Sequence, residues 1–460
     1  MPARTSKELT HHSRADPIPK SGSGGVSFRI RLGERDRDRH VPSGTIAVRA
    51  MGLQQSEVKH MTRQRMALAT FATVALVVLG AFTVGQGQGQ GPPPPPLGLP
   101  LAGLSDAERD RFLTGKTAFL QEEDAADGLG PVFTENSCAK CHGGTATTGS
   151  AGTRTVTRFG RMRNGLFDPM VDFGGTLIQD RGIGRFNGVN FVGETVPRQA
   201  TITTKRRTTP LFGLGLVDAV PDQVFLALAQ IERNLFPATA GRASMVTDPA
   251  TGLTRVGKFG WKAQQPSLFA FAGDAYVNEM GITTPLFPTE NCPQGNCRIL
   301  AANPADTQPN DLTNDTLHEL ADFMAFLAPA PTRRLPPNHP GRGLFMQVGC
   351  AQCHTPIFQT GVNPVPALSQ VTFAPYSDFL LHDMGNLGDG IVQNTAGQRE
   401  MRTAPLWGLK FEPSYLHDGR AKTVEDAIMA HDGQGADAKR RFSALRPQDR
   451  GALLDFLSSL

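Results

Sequence analysis

The sequence predicts a mainly α-helical fold in which two tandem domains carry long irregular loops. The chain has 460 residues, which is enough for two or three domains. Its 50 Gly and 35 Pro residues favour extended irregular connections. A short cysteine and histidine motif occurs twice, once in each half. Aromatic residues make up only 7% of the chain, so something besides side chains is expected to fill the interior.

Helix patterns mark the ends of the predicted domains. Ser105 and Glu108 have the spacing of a capping box, which predicts a helix from there to about Leu120. At the other end, LRPQDRGALLDFLSSL predicts a closing helix because its leucines recur on one side. The segment PAPTRRLPPN is typical of a rigid linker. The predicted domains are therefore 104–332, with large insertions, and 333–460.

The formal net charge of +4 is unevenly distributed. Residues 1–65 are strongly basic, whereas the rest of the chain carries slightly more acidic than basic side chains. The chain has no basic stripe with interleaved aromatic residues. Nucleic-acid binding is therefore not expected.

The N-terminal part of the sequence has the layout of a targeting segment. Residues 66–84 hold an uncharged apolar stretch that closely follows basic residues. This pattern is typical of a signal peptide, with a retained anchor in the inner membrane through residues 67–84 as the alternative. The chain beyond it is then expected to be periplasmic or extracytoplasmic. Residues 1–65 are read as a disordered leader or an over-extended translation start, and 85–103 as a Gly/Pro-rich linker.

The sequence C-x-x-C-H occurs at 138–142 and again at 350–354. Two thiols at this spacing reach the two vinyl groups of one porphyrin, and the following imidazole binds the iron. A zinc ribbon would bring its cysteine pairs closer together, and a thioredoxin-like pair needs no following His. The motifs therefore predict two covalently bound c-type haems and, with them, cytochrome c-like domains. The predicted attachment and iron-binding residues are Cys138, Cys141, His142, Cys350, Cys353 and His354.

An internal repeat relates the two halves. Arg207–Leu214 matches Arg402–Leu409 at the Arg, Thr, Pro, Leu, Gly and Leu positions. Further on, the segment that begins at Trp261 corresponds loosely to the one that begins at His417. The halves are interpreted as duplicated and then diverged.

Several segments together resemble the di-haem oxidoreductase family of peroxidases and thiol oxidoreductases, over about Leu104 to Leu460. That family is similar to the bacterial di-haem cytochrome c peroxidases. The resemblance implies one haem that takes up electrons and one that meets a small oxidant such as peroxide. It also implies a small redox protein or a quinol-linked system as electron donor. The segments are DGLGP before SCAKCH, RRTTPLFGLGLVDAVP, FGWKAQQPSL, NEMGIT, SDFLLHDMG and YLHDGRAKTVEDAIMAH.

The resemblance also implies an axial ligand for the second haem. In the peroxidases a Met at a fixed distance from an H-D-G motif binds the electron-accepting haem. Counted from His417, that position is His431, so His354 and His431 are the predicted pair. Met429 is the nearest rival. His382 and His417 precede Asp in turn-like sequence and are expected to bond haem propionates or backbone.

The first haem has no comparable partner. No His lies between His142 and His318, which leaves Met162, Met170, Met280 or an open position. Glu279 resembles the distal acid of the peroxidases, which protonates the leaving oxygen. Phe271 stands where the peroxidases have a Gln, so a drier pocket is expected. The alternative function is a non-catalytic electron carrier with both irons six-coordinate.

Two further expectations concern ions and sulfur. The resemblance implies that backbone oxygens of Thr403–Pro405 hold a calcium ion between the haems, with a simple turn as the alternative. Cys292 and Cys297 are left as an even pair in an oxidising compartment. They are expected to form a disulfide, with a redox-active or metal-binding pair as the alternative.

Overall fold

The computed structural model describes residues 96–143, 147–303 and 313–460. Helices account for 36% and strands for 16% of them, and the strands pair in small sheets. The prediction of a mainly α-helical protein is therefore wrong, and this mixed architecture does not confirm cytochrome c-like domains. The physical reason lies in the loops predicted within the first half, where much of the chain pairs as antiparallel strands.

The α-helices of the described residues vary from a single turn to fifteen residues. In chain order they are α1 (Asp106–Leu120), α2 (Cys138–Cys141), α3 (Leu214–Asp218), α4 (Asp222–Leu235), α5 (Leu268–Ala275), α6 (Asp315–Phe326), α7 (Pro340–Val348), α8 (Val424–Ala430), α9 (Ala436–Ser443) and α10 (Pro447–Ser459).

The strands of the described residues are short, apart from two. They are β1 (Val132–Phe133), β2 (Thr155–Arg163), β3 (Leu166–Asp168), β4 (Leu177–Ile178), β5 (Arg181–Gly182), β6 (Gly184–Phe186), β7 (Val189–Phe191), β8 (Ile202–Arg207), β9 (Ser244–Thr247), β10 (Thr254–Gly257), β11 (Phe358–Gln359), β12 (Thr372–Phe373), β13 (Leu381–Asp383) and β14 (Glu400–Arg402).

The largest sheet centres on β2, which pairs antiparallel with β3, β4 and β8. Thr155 lies opposite Arg207 and Phe159 opposite Thr203, so β8 runs along most of β2. Phe159 is fully buried, and Thr157 pairs with Ile178 on the other side. Because of this pairing, Arg206 and Arg207 at the end of β8 lie buried in the interior of the protein.

The helices that begin and end each predicted domain pack closely in both halves. A Cβ at Gly115 of α1 would lie 2.0 Å from the Glu319 carbonyl oxygen of α6. A Cβ at Gly341 of α7 would lie 2.3 Å from the Ala452 carbonyl oxygen of α10. Only glycine permits approaches this close. The capping box at Ser105 is present, so the predicted first helix is confirmed.

The two copies of the internal repeat bond to each other reciprocally. The Arg207 backbone N–H donates to the His417 carbonyl at 2.7 Å, and the Arg402 N–H donates to the Trp261 carbonyl at 2.9 Å. The arginine of each half thus bonds the first residue of the corresponding downstream segment in the other half. Gly213 and Gly408, at equivalent positions, both have left-handed backbone and precede a helical turn.

The described residues belong to one compact unit, and the main apolar core crosses the predicted boundary near residue 333. It includes Phe323 from the first half and Phe379 and Trp407 from the second. The boundary itself remains a prediction. Among these residues no helix is long and apolar enough to cross a membrane. The leader, the apolar segment at 67–84 and most of the linker lie outside them.

The last cysteine pair is joined. Cys292 and Cys297 form a disulfide that closes a short loop, as the sequence predicted. The other four cysteines all belong to the C-x-x-C-H motifs and form no disulfide with one another.

Candidate functional site

The first C-x-x-C-H motif lines a cavity of about 170 Å³. Cys138–Cys141 form the single turn α2, and the His142 N–H donates to the Cys138 carbonyl at 3.0 Å. This turn places both thiols and the imidazole on the same cavity. Burial lowers the pKa of His142 to about 4, so the imidazole is neutral and able to bind a metal. The ring of Phe119, from α1, lies 5.8 Å from its ring.

Glu279 lies on the wall of the same cavity. It belongs to a π-helical turn, Tyr276–Met280, that extends α5, and such turns are frequent at functional sites. Its carbonyl accepts the Thr134 N–H at 2.7 Å, which fixes the turn against the strand-like segment before α2. Burial raises the pKa of the Glu279 carboxyl, while the charge of Arg158 and the Thr134 side chain act in the opposite direction. The carboxyl therefore holds a proton more readily than a solvent-exposed glutamate does.

The three methionines considered for the first haem are placed differently. Met162 is 39% exposed on β2, and its sulfur accepts from the Gln398 amide at 3.1 Å. Met170 packs with Phe159 in a small separate cluster. Only Met280 of the three lines the cavity that holds His142.

The second motif lines a larger cavity of about 240 Å³, which also receives His431. The Nδ1 of His354 bonds the Tyr376 carbonyl at 2.9 Å, and the Nδ1 of His431 bonds the Ala427 carbonyl at 2.7 Å. Each imidazole is oriented by a backbone oxygen, which leaves its Nε2 for another partner. This is the usual arrangement of metal-binding histidines. Burial lowers the pKa of both, with His431 contributing to the shift of His354.

His431 and Met429 point to different surroundings. Helix α8 ends at Ala430, one residue earlier than VEDAIMAH suggested, and His431 is its C-cap. Met429 is 44% exposed, and its sulfur accepts from the Ser443 hydroxyl at 3.3 Å. Of the two, only His431 lines the cavity.

His417 and His382 also line the second cavity, in different states. The Nε2 of His417 is buried and has no hydrogen-bond partner among the described residues. His382 instead bonds Asp378 through Nε2 at 2.9 Å, and its Nδ1 is 3.5 Å from the Cys353 sulfur. Burial opposes a charge on His382, but Asp378 and Cys353 raise its pKa well above the usual value. Asp378, the carboxylate partner of His382, was not among the residues predicted from the sequence.

One wall separates the two cavities. Trp261 and Phe271 line both of them, as do Arg207, Thr209 and Gly260. The Trp261 indole N–H donates to the Arg207 carbonyl at 2.9 Å, and its ring meets the His417 ring edge-on at 6.3 Å. The indole is therefore held by backbone from the first repeat and by a side chain from the second.

The first cavity keeps polar side chains on its wall although Phe271 is apolar. Gln264, Asp274 and Asn278 all line it. Sequence reasoning missed Gln264, which lies three residues after Trp261 in a tight loop and faces the cavity that the absent Gln was expected to serve. The expected dry pocket is therefore not evident in these residues.

One carbonyl oxygen of the predicted calcium segment, that of Thr403, already has two hydrogen-bond donors. The Thr403 carbonyl accepts from the Ser377 hydroxyl at 2.7 Å and from the Arg402 guanidinium at 2.9 Å. Two donors satisfy both lone pairs of a carbonyl. A buried positive charge beside the oxygen also disfavours a second cation. The Thr403 carbonyl therefore has no lone pair left for a cation, and a calcium ion held by Thr403–Pro405 stays a prediction.

The sequence matches one family model over residues 196–460, described as "Di-haem oxidoreductase, putative peroxidase". The matched segment contains the second motif, Glu279, Trp261 and His431. The chain belongs to this family. It is therefore a di-haem oxidoreductase, and its cofactors are haems.

Two solved structures are similar to this di-haem oxidoreductase. One is hydrazine synthase of Kuenenia stuttgartiensis, with 17% sequence identity, a TM-score of 0.34 and coverage of 82% of this chain and 99% of that chain. The other is a MauG-like protein associated with microbial copper homeostasis, with 15% identity, a TM-score of 0.33 and coverage of 82% and 95%. No curated protein matches the sequence.

Proposed function

We propose that this di-haem oxidoreductase is an exported, peroxidase-like enzyme with one electron-entry haem and one haem open to a small oxidant. The main support for this proposal is that the two cavities differ in the histidines that line them. The second contains two oriented imidazoles, those of His354 and His431. Among the described residues that line the first cavity, His142 is the only histidine, and it shares the cavity with the half-buried acid Glu279.

The residues fit two covalently held haems. Each cavity has one C-x-x-C-H motif on its wall, and each motif is folded as a tight turn. In the part of the chain that the structure describes, two buried nitrogens of the second cavity have no partner, the Nε2 of His417 and the indole nitrogen of Trp407. Buried donors of this kind need acceptors. Haem propionates supply such acceptors, so both residues are assigned to propionate binding.

Each bound haem supplies an iron that can accept and release single electrons. Reduction of hydrogen peroxide to two waters consumes two electrons and two protons. In this proposal a small redox protein or a quinol-linked donor delivers the electrons to the cavity of His354 and His431. Glu279 gives a proton to the departing oxygen in the other cavity. Trp261 occupies the wall between the two cavities and fixes the separation that electrons must cross.

A high-spin signal in the ultraviolet and visible spectrum tests this assignment. An open first haem is expected to give a high-spin component that changes when hydrogen peroxide is added. The Glu279→Gln variant is expected to keep the high-spin component and lose the rapid response. Two low-spin haems that do not respond to peroxide would contradict the proposal.

The second candidate is a non-catalytic electron carrier with both irons six-coordinate. It is favoured by Met280, whose side chain is buried on the wall of the first cavity and is a thioether. Met280→Leu distinguishes the two functions. In the carrier the substitution converts the first haem from low to high spin, whereas in the enzyme it leaves the spin state unchanged.

The proposed location rests on the apolar segment at 67–84 and on the covalent attachment motifs. The enzyme is assigned to the periplasm or another extracytoplasmic space, with anchorage to the inner membrane if the segment is retained. Intact mass and fractionation of the protein made in its own host test both statements. A full-length, haem-free protein in the cytoplasm would contradict them.

A further inference from the structure

The ammonium group of Lys262 lies in a cage of oxygen atoms. Its side chain has no exposed surface. The Nζ donates to the carbonyls of Gly397 at 2.9 Å and Glu400 at 2.6 Å, with Gln398 further away at 3.4 Å. It also lies 2.9 Å from a carboxylate oxygen of Asp389. Three carbonyls and a carboxylate thus converge on one positive charge.

This set of ligands is the kind that hard metal cations use. Calcium sites combine carboxylate and backbone carbonyl oxygens around one centre. Here the centre is already a protein cation. Asp389 is fully buried and is shared with Arg206, whose Nε donates to it at 2.7 Å. One carboxylate therefore serves two cations, so the carbonyl dipoles must supply the rest of the compensation for the ammonium.

The cage lies directly beside the wall between the cavities. Lys262 follows Trp261 in the chain, and the carbonyls that it binds belong to the loop before β14 and to its first residue. Arg402, at the end of β14, donates its backbone N–H to the Trp261 carbonyl and its guanidinium to the Gly260 carbonyl at 2.7 Å. Two buried cationic side chains, those of Lys262 and Arg402, therefore lie next to the Trp261 backbone.

We propose that Lys262 is a built-in cation that takes the place of a metal ion, binding the 397–400 loop to the backbone at Trp261 and so positioning that indole between the cavities. Lys262 is a positioning residue, because it touches neither cavity. The cage carbonyls point inward and need a positive group or donors at their centre. This inference does not depend on peroxidase activity, since it concerns how the wall is held.

The metal content of the wild-type holoprotein gives the first test. After dialysis the protein is expected to contain no stoichiometric calcium by elemental analysis. Its visible spectrum and its melting temperature are expected to stay unchanged when a chelator is added. One tightly held calcium per chain, whose removal alters the spectrum, would overturn the proposal. This measurement needs no variant, so it decides the question even if substitutions at Lys262 prevent folding.

Chemical rescue gives the second test. Lys262→Ala removes a fragment that corresponds to propylammonium and leaves an empty, negatively polarised cage. Electron equilibration between the haems, followed after flash reduction without peroxide, is expected to slow by about tenfold or more, because small misplacements of a positioned group have large kinetic effects. Added propylammonium or calcium is expected to restore most of the rate. A variant with the wild-type rate, or an impaired one that neither cation restores, would overturn the proposal.

Two further variants separate charge from packing. Lys262→Met keeps the length of the side chain without its charge, and it is expected to slow equilibration without any response to propylammonium, because the methionine fills the cage. Lys258→Ala is the comparison. Lys258 is equally buried, and its ammonium also lies among oxygens, the carbonyls of Asp218 and Val220 and the carboxylates of Asp218 and Asp222. None of these oxygens belongs to the 397–400 loop, so its loss is expected to lower stability without slowing electron equilibration as much, and an equal slowing would contradict a specific role for Lys262.

Discussion

Glu279 differs from a surface glutamate because it lies half-buried on a cavity wall in a π-helical turn. Burial raises its pKa, so the protonated form persists to higher pH than in an ordinary carboxyl. A raised pKa means that the proton is present below the folded-state pKa and is lost as the pH rises through it. The fast reaction with peroxide is therefore expected to decline towards alkaline pH.

Glu279→Gln should remove this pH dependence together with most of the rate. The loss is expected to be roughly 10²-fold or more, as for other positioned acids. Stopped-flow measurements of the peroxide response across pH provide the check. Glu290→Gln is the matched control, since burial raises the pKa of Glu290 to about 8 away from both cavities. An unchanged pH profile in Glu279→Gln would remove the assigned role.

His431 and Met429 give a second residue-level prediction. His431→Ala is expected to convert the second haem to high spin and leave the first unchanged. Met429→Leu is expected to change neither haem, because the methionine side chain faces solvent and Ser443. Visible and electron paramagnetic resonance spectra distinguish the two haems. Loss of a low-spin signal in the methionine variant alone would reverse the assignment.

The candidate haem residues could be proposed from spacing, because haem attachment depends on residues that are close in sequence. The spacing from His417 singled out His431, and in the structure His431 lines the same cavity as His354. The partner of His382 could not be found in this way. Asp378 lies four residues before His382, a spacing that suggests contact only on a helix, yet here the chain is extended and turns between them. Gln264 was missed because only the folded loop brings its amide to the wall.

Capping boxes define the starts of α1 and α8. Ser105 with Glu108 and Thr423 with Asp426 both make the two reciprocal bonds. In α8 the cap holds the turn whose Ala427 carbonyl orients His431. Loss of the Thr423 cap should therefore change the ligation of the second haem. Loss of the Ser105 cap should change the ligation of neither haem iron.

Thr423→Ala is expected to lower the free energy of unfolding by about 1 kcal/mol and to weaken the low-spin signal of the second haem. Ser105→Ala provides the comparison, with a similar loss of stability and an unchanged spectrum. Thermal unfolding followed by circular dichroism gives the first quantity, and visible spectra give the second. Equal spectral changes in both variants would show that α8 has no special connection to His431.

Helices were easier to predict than strands at the level of elements. The first helix is signalled by four adjacent residues, and its cap and length follow from local chemistry. The sheet around β2 depends on pairing with β8, many residues further on, and Gly160 interrupts the pattern of β2 itself. Local sequence therefore predicted loops where partners from distant parts of the chain form strands.

The whole molecule should carry two haems per chain, because both attachment motifs fold onto cavities of the same compact unit. The haem-to-protein ratio is expected to be two, and acid acetone should not extract the colour. Replacing Cys138 and Cys141 with Ala should lower the ratio to one, and replacing Cys350 and Cys353 should do the same. A ratio of one in the unaltered protein would contradict this prediction.

The two reciprocal hydrogen bonds between the halves resemble the contacts between identical subunits of a dimer. The backbone N–H of Arg207 bonds His417 and that of Arg402 bonds Trp261, so each half donates one equivalent hydrogen bond to the other. An exchange in which position i meets j and j meets i is the mark of an isologous interface between identical subunits. Within this one chain the two bonds reproduce that isologous pattern, as expected if the halves arose by duplication of one unit.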